Sequence, residues 1–355
     1  MSSDISAQLQ TAVREALAAR TPLQIEGGGS KRFYGRSPHG TVISTAQHSG
    51  VINYEPTELV ITARAGTPLN TIENLLAEQG QMLPFEPPHF GPGATLGGAI
   101  ACGLSGPRRP YAGAVRDFVL GVKILTGQGD ILTFGGQVMK NVAGFDASRL
   151  MAGALGTLGI ILEASLKVLP RPAHEQTLTF ECTSAEAIRN MNRWAALPLP
   201  ISGAAYDGVH VYLRLSGGAA GVRQACAELG GTVHADAHHF WHQLREQQLP
   251  FFQGGGSLWR LSLPPATPPL ALPGQWFIDW GGAQRWLRNP LPAEVIRATA
   301  ARLGGHTMLF KRDETDAPHE IFQPLPPPLA SIHRRLKAAF DPHGILNPGR
   351  LYANW

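Results

Sequence analysis

An α+β fold in two domains is what this sequence predicts, and three observations predict it. The chain has 355 residues, and at roughly 150 residues per domain that length calls for about two. Strand-period and helix-period segments are mixed throughout, with a hairpin in the first half and no internal repeat. All seven tryptophans (Trp194, Trp241, Trp259, Trp276, Trp280, Trp286 and Trp355) follow the closely spaced Pro170 and Pro172, a composition shift that gives the second part a different core.

Near the start, Ile5, Leu9, Val13 and Leu17 recur every four residues behind candidate caps at Ser3 or Asp4, which predicts an amphipathic helix. Leu23 and Ile25 then alternate with polar residues as a short strand that stops at Gly27, Gly28 and Gly29. Glu58 to Ala65 is a β-branched strand. Thr67 and Pro68 supply a cap and a first helical residue for the stripe Leu69, Ile72, Leu75 and Leu76, which Gly80 closes. From Pro84 to Pro110 periodicity stops, and so long a loop in a compact domain is usually functional. FVLGVKILTGQGDILTFG reads as a hairpin, and GIILEASLKVL as a further strand after a glycine-spaced stretch. Beyond Pro172, HVYLRLSG is strand-like and AAGVRQACAELGG helical, and residues 263–274 form a proline-rich linker. Near the end a helical stripe of Ile332, Leu336 and Phe340 is stopped by Asp341 and Pro342.

Composition excludes several classes of function. Hydrophobic residues at 43% against 16% charged provide a core and exclude a disordered tail. Gly 41 and Pro 29 exceed the usual ~12% for the pair, which favours tight turns and close backbone contacts. The net charge of +4 comes without any run of five like charges, which argues against nucleic-acid binding. Cys102, Cys182 and Cys226 lie far apart without a CxxC pair, so neither a disulfide framework nor a zinc site is expected, and a reducing compartment fits best. No signal peptide and no stretch of eighteen apolar residues occurs, so the expectation is a cytoplasmic protein without a transmembrane segment.

Three glycine clusters, at 27 to 29, 91 to 106 and 153 to 159, carry the chemistry. Glycine lets main-chain N–H groups converge into a nest for phosphate oxygens. In Gly27, Gly28, Gly29, Ser30 and Lys31 the hydroxyl and the cation add to that, which suits a pyrophosphate; an ordinary flexible turn is the alternative. Gly153, Gly156 and Gly159 are not spaced as G-x-G-x-x-G and precede a strand, and no G-x-x-x-x-G-K-[ST] occurs, so Rossmann and P-loop sites are set aside.

PPHFGPGATLGGAIACGLSGPRRPYAGAVRDFVLGVKILTGQGDIL, GFDASRLMAGALGTLGIILEASLKVLP and FDPHGILNPGRLY, with the 27 to 31 loop, resemble in family order the FAD-contacting stretches of the vanillyl-alcohol oxidase or p-cresol methylhydroxylase-type flavoproteins. NYEPTELVITARAGTPL, GQMLPFEPPHFG, VMKNVAGFDASRLM, WHQLREQQLPFF and FIDWGGAQRWL extend the likeness to the FAD-binding subunits of bacterial glycolate oxidases. The resemblance implies a two-subdomain p-cresol methylhydroxylase-type FAD-binding fold over 1–172, an α+β cap or partner domain over 173–330, and a segment 331–355 that returns to the FAD domain. By position, Gly27, Gly28, Gly29, Ser30 and Lys31 would hold the pyrophosphate. Thr95, Gly97, Gly98, Gly103 and Gly106 would line the flavin and its ribityl chain. Gly156, Gly159, Ile160 and Ile161 would approach the adenosine end or flavin edge by main chain, and Asn347 would close the site. A Cβ at these glycines is expected to push the backbone off the cofactor.

The resemblance further implies oxidation of glycolate, or a related small 2-hydroxy acid, to the 2-oxo acid. Electrons would pass to a second FAD-binding catalytic subunit and an iron–sulfur subunit, the assembly being cytoplasmic or held at the inner face of the membrane through partners. The alternative is a non-catalytic FAD electron-transfer or assembly subunit. The pyrophosphate loop lacks the histidine that carries covalent flavin in relatives, so the FAD is expected to be noncovalent, and Leu155 stands where relatives commonly have an acid.

No metal site and no catalytic base is assigned from the sequence. Four-residue spacing could bring His234, His238 and His242 to one helical face, but a surface face is the first reading. Asp207, His210 and Arg214 form a possible acid–base group that nothing in the sequence brings to a flavin. His89 is read first as a loop histidine bonded to backbone. Arg108, Arg109 and Arg116 are helix-end or partner-surface arginines, with a carboxylate-anchoring role as the alternative. Cys102 is a packing residue, and Lys140 and Asn141 receive no role.

Overall fold

The computed structural model describes residues 3–136, 147–313 and 320–355. The chain divides into two units: Met1–Ser105, Gly113–Pro170 and Pro324–Trp355 form the first, Gly106–Ala112 and Arg171–Gln323 the second. Compared with the sequence expectation, residues 106–112 change unit and the return falls at 324 rather than 331.

In the first unit, helix Ser6–Ala19 buries Leu9, Val13 and Ala16 against Leu23, Ile43, Leu125, Ile160, Leu162 and Leu346. Its cap position is Ile5 rather than Ser3 or Asp4, although the Asp4 carboxylate accepts from Ser6 N at 2.9 Å. A five-stranded antiparallel sheet runs in the order Val51–Glu55, Val60–Arg64, Ile160–Lys167, Val119–Leu125, Ile131–Gly135. The last two are the expected hairpin, and the central Ile160–Lys167 is covered on both faces, which its nearly continuous apolar run requires. Helix Leu69–Glu78 starts one residue later than expected, with Pro68 at the cap. Thr67 Oγ1 instead accepts from Gly50 N at 2.9 Å and donates to Arg64 O at 2.7 Å. Strands Leu23–Glu26 and Thr41–Ser44 form a separate parallel pair.

The second unit is an eight-stranded antiparallel sheet in the order Thr232–Val233, His174–Glu181, His210–Gly217, Ile201–Tyr206, Gln275–Asp279, Gln284–Arg288, Leu258–Ser262, His306–Lys311. Helix Ser184–Ala195, opened by a reciprocal Thr183 and Glu186 capping box, packs with Ala219–Leu229 on Leu178, Val211, Leu213 and Leu215. Helix Ala293–Arg302 covers Trp259, Leu261 and Leu287. Trp355 belongs to the first unit, so only the other tryptophans serve this core. Residues 263–274 are not a linker. They are a strand connection whose Thr267 and Pro268 carbonyls accept from the buried Arg285 guanidinium.

Candidate functional site

Strand Leu23–Glu26 ends where Gly27 and Gly28 meet the 91 to 95 loop, Gly28 against the backbone of Gly93 and Gly27 against the side chain of Thr95. A Cβ on Gly28 would stand 1.5 Å from Gly93 O, and one on Gly97 would stand 2.6 Å from Ala65 Cβ. These glycines are therefore required by the approach of three chain segments to one another. The same absence of a Cβ is what the sequence expectation asks for beside a cofactor. Gly29, at φ +74°, adds the left-handed turn that directs the chain onward. Among the described residues, the N–H groups of Gly27, Gly28, Gly29 and Ser30 donate to no acceptor. Four open donors in succession form a nest for an anion.

Next to the nest, Lys31 is buried and its Nζ donates to His89 O at 3.1 Å and to Ser30 Oγ at 3.3 Å. The His89 ring is itself held, with Nε2 3.1 Å from Glu73 Oε2. Thr95 caps helix Leu96–Cys102, its Oγ1 accepting from Gly98 N at 3.3 Å. The first-turn donors of that helix are already taken, Leu96 N by Thr67 O and Gly97 N by Ala65 O. Cys102 ends the helix in the wall of the cavity, and burial pushes its thiol up to about 11. It stays neutral at pH 7.

Asn347 fastens the far side. Its Nδ2 donates to Leu155 O at 2.6 Å, its Oδ1 accepts from Ile25 N at 2.7 Å, and its own N donates to Leu23 O at 2.9 Å. The turn presenting it is fixed by the buried Asp341, whose carboxylate accepts from Ile345 N, Leu346 N and Lys337 Nζ. Leu155 itself sits at φ +51°. Together these elements line a cleft with about 820 Å³ of empty space, part of it open to solvent. Gly27 to Lys31, Thr95, Gly97, Gly98, Gly156, Gly159, Ile160, Ile161 and Asn347 all line it. Thr45, Ala65 and Arg350 line it too and were missed, since no spacing signals them. The Arg350 guanidinium, whose pKa burial lowers, donates to Arg36 O at 2.7 Å and Lys31 O at 3.4 Å, bracing the loop from behind.

Two expected residues are not brought to the cavity. Gly103 is the left-handed cap of helix Leu96–Cys102 and faces the backbone of Gly153. Gly106 belongs to the second unit, where its carbonyl accepts from Trp280 Nε1 at 3.0 Å.

The other candidates in the second unit are engaged within it. Arg108 donates to Glu175 at 2.7 Å, and Arg109 and Arg260 both stand over the Trp280 ring. Asp207 accepts from Val209 N, His210 N and Tyr212 Oη, while Arg214 donates to Ser202 and stacks on Trp241. Helix Ala237–Arg245 begins after His234, whose ring packs edge-on against Tyr212 and Phe240. Among the described residues no group of three His, Cys, Asp or Glu is arranged for a metal ion. In the first unit, Arg116 is an exposed side chain beside Asp117. Lys140 and Asn141 lie outside the described residues.

Residues 5–135 match the FAD binding domain family, and residues 323–351 match the C-terminal domain of FAD linked oxidases. The chain is 51% identical to the glycolate oxidase subunit GlcE of Escherichia coli, over 99% of this chain and 98% of that one. Partial matches include the glycolate oxidase subunit GlcD of Bacillus subtilis, 32% identical over 45% of this chain and 34% of that one. D-2-hydroxyglutarate dehydrogenase of Xanthomonas citri is 31% identical over 41% of this chain and 31% of that one. In fold, the chain is similar to a solved alkyldihydroxyacetonephosphate synthase with a TM-score of 0.65 at 18% identity, covering 96% of this chain and 74% of that one. Among the described residues no helix is long and apolar enough to cross a membrane. By its match along almost the whole length, on a p-cresol methylhydroxylase-type FAD-binding fold, the chain belongs to the GlcE family of FAD-linked glycolate oxidase subunits.

Proposed function

We propose that this chain holds FAD noncovalently as one subunit of a glycolate-oxidising complex. The complex would convert glycolate, or a related 2-hydroxy acid, to the 2-oxo acid and pass electrons to a second flavoprotein subunit and an iron–sulfur subunit. The observation that carries this reading is the row of open N–H groups at Gly27, Gly28, Gly29 and Ser30, in residues that line the cleft of a chain so similar to GlcE. Those donors, with Lys31, would take the pyrophosphate. Thr95, Gly97 and Gly98 would line the flavin and ribityl portion, and main chain at Gly156, Gly159, Ile160 and Ile161 the remaining edge. Asn347, with both ends of its amide already bonded, acts by holding the walls together. When bound, FAD supplies the two-electron acceptor for the substrate carbon. The Cys102 thiol, kept neutral by burial, adds no charge of its own to the cavity wall.

A second reading, an FAD electron-transfer or assembly subunit beside a catalytic partner, is favoured by one observation. The buried Arg108, Arg214, Arg285 and Arg288 of the second unit all donate to groups of their own chain. Anaerobic glycolate decides between the readings. Bleaching of the flavin band at about 450 nm in the isolated chain supports catalysis here, whereas bleaching only after the partner flavoprotein is added supports the second reading. A colourless preparation indifferent to added FAD in a thermal-shift assay overturns both. Acid precipitation should leave the flavin in the supernatant; a yellow pellet would show a covalent link.

A further inference from the structure

The stripe Ile332, Leu336 and Phe340 on helix Pro327–Phe340 is only half used by the fold. At one end Phe340 packs edge-on against Phe134. At the other, Leu329 is 41% and Ile332 58% exposed, and Ala330 is the only fully buried residue of fourteen. Helices of this length draw most of their stability from packing an apolar face, and here that face lacks a cover among the described residues. Leu329, Ile332, His333 and Leu336 lie at i, i+3, i+4 and i+7, so they share one side. His333 and Leu336 on that side line a surface cleft, with about 700 Å³ of empty space partly open to solvent, together with Leu158 and Trp355, and the exposed Leu150 stands in its wall.

Two features say what fits there. The helix carries no acidic residue, and the exposed Arg335 flanks the stripe one turn beyond Ile332, whereas the exposed Arg334 lies on the opposite side of the helix. An occupant with an apolar centre and carboxylates at its edge is complementary. The second feature is position. The loop 154–158 is a shared wall: Ala154, Thr157 and Leu158 face this cavity, while Leu155 and Gly156 face the cavity assigned to FAD. Lys337 Nζ clamps the loop by donating to Thr157 O at 2.7 Å. A protein seated on the helix is thus separated from that site by the thickness of a single loop.

We propose that this face docks the electron-accepting protein subunit of the complex, through an apolar segment of that partner edged with carboxylates. The proposal rests on the FAD-subunit reading above. The test uses the full chain, FAD-loaded and tagged, coexpressed with the two partner subunits. Ile332→Asp, on an exposed position, should leave FAD content and melting temperature unchanged while recovery of the partner falls at least tenfold. Arg335→Glu should weaken recovery several-fold while Arg334→Glu, on the opposite side of the helix, should leave it unchanged, and association of the wild-type chain should weaken with salt. Recovery unchanged by Ile332→Asp and by Arg335→Glu overturns the proposal. So does an Ile332→Asp effect confined to binding of phosphatidylglycerol vesicles or to self-association of this chain. If Ile332→Asp breaks an assembly that has no glycolate activity, the docking face stands and the functional reading falls. If the wild-type complex oxidises glycolate and Ile332→Asp leaves both assembly and turnover intact, the reading stands and the docking face falls.

Discussion

Each of the two units is held together internally, and by opposite means. At the cavity of the first, segments meet where side chains are missing, Gly28 on Gly93 and Gly97 on Ala65, and the polar groups left over are main-chain donors. In the second, buried guanidiniums gather main-chain carbonyls. Arg285 takes Gly282 O, Thr267 O and Pro268 O, and Arg288 takes Phe251 O, Phe252 O, Gly255 O and Gly256 O. Burial lowers the pKa of Arg285 to about 10, still well above neutrality. The lesson is that open donors mark the region available to an anion, whereas buried cations already saturated by their own chain mark scaffold.

The comparison can be broken most severely at Gly28. Gly28→Ala places a methyl inside a carbonyl of the adjoining loop and should cost at least about 4 kcal/mol, with loss of bound flavin; absorbance and urea unfolding would report both. Arg285→Met is next, leaving three buried carbonyls without donors at a cost of about 3 kcal/mol, but FAD content per folded chain should be unchanged. Lost flavin would erase the distinction between the units. Asn347→Ala removes the tie between Ile25 and Leu155 and should cost about 2 kcal/mol, with FAD affinity reduced roughly tenfold, as titration calorimetry would measure.

The smallest effect concerns Glu175. Burial pushes its carboxyl up, but the charges of Arg214 and Arg108 and the Ser216 hydroxyl outweigh that and hold it below 4.5. Its contribution is therefore fully present above pH 4.5 and is lost as pH falls through its lowered folded value. Since the side chain is 37% exposed, solvent screening limits the contribution to about 1 kcal/mol. Glu175→Gln should flatten the acid limb of a melting-temperature profile between pH 3 and 6 by that amount.

Much of the cavity was readable because its determinants are local. A strand that runs into Gly27, Gly28 and Gly29, and a threonine cap before small residues at 95 to 98, announce themselves within a few positions. What depended on distant partners was not. Nothing near Gly106 reveals that the chain leaves the first unit there to pair with Trp280. Arg285 looks like an ordinary surface charge until the 263–274 connection folds over it, and Arg350 acquires its role from carbonyls at the opposite end of the sequence. The histidine face failed for a simpler reason, since the four-residue spacing was extended past the start of helix Ala237–Arg245. The glycines acquired a second reason beside the expected one, because close approach of the backbone to itself and close approach to a ligand demand the same residue.

The contact of Asn347 with Ile25 and Leu155 has a consequence for biosynthesis. The nest is among the first parts translated, yet its opposite wall cannot be pinned until residues 341–347 have emerged from the ribosome, on the order of tens of seconds later at ordinary elongation rates. Flavin capture is thereby deferred to the end of translation, and a nascent chain stalled in the second unit would be unable to sequester the nucleotide.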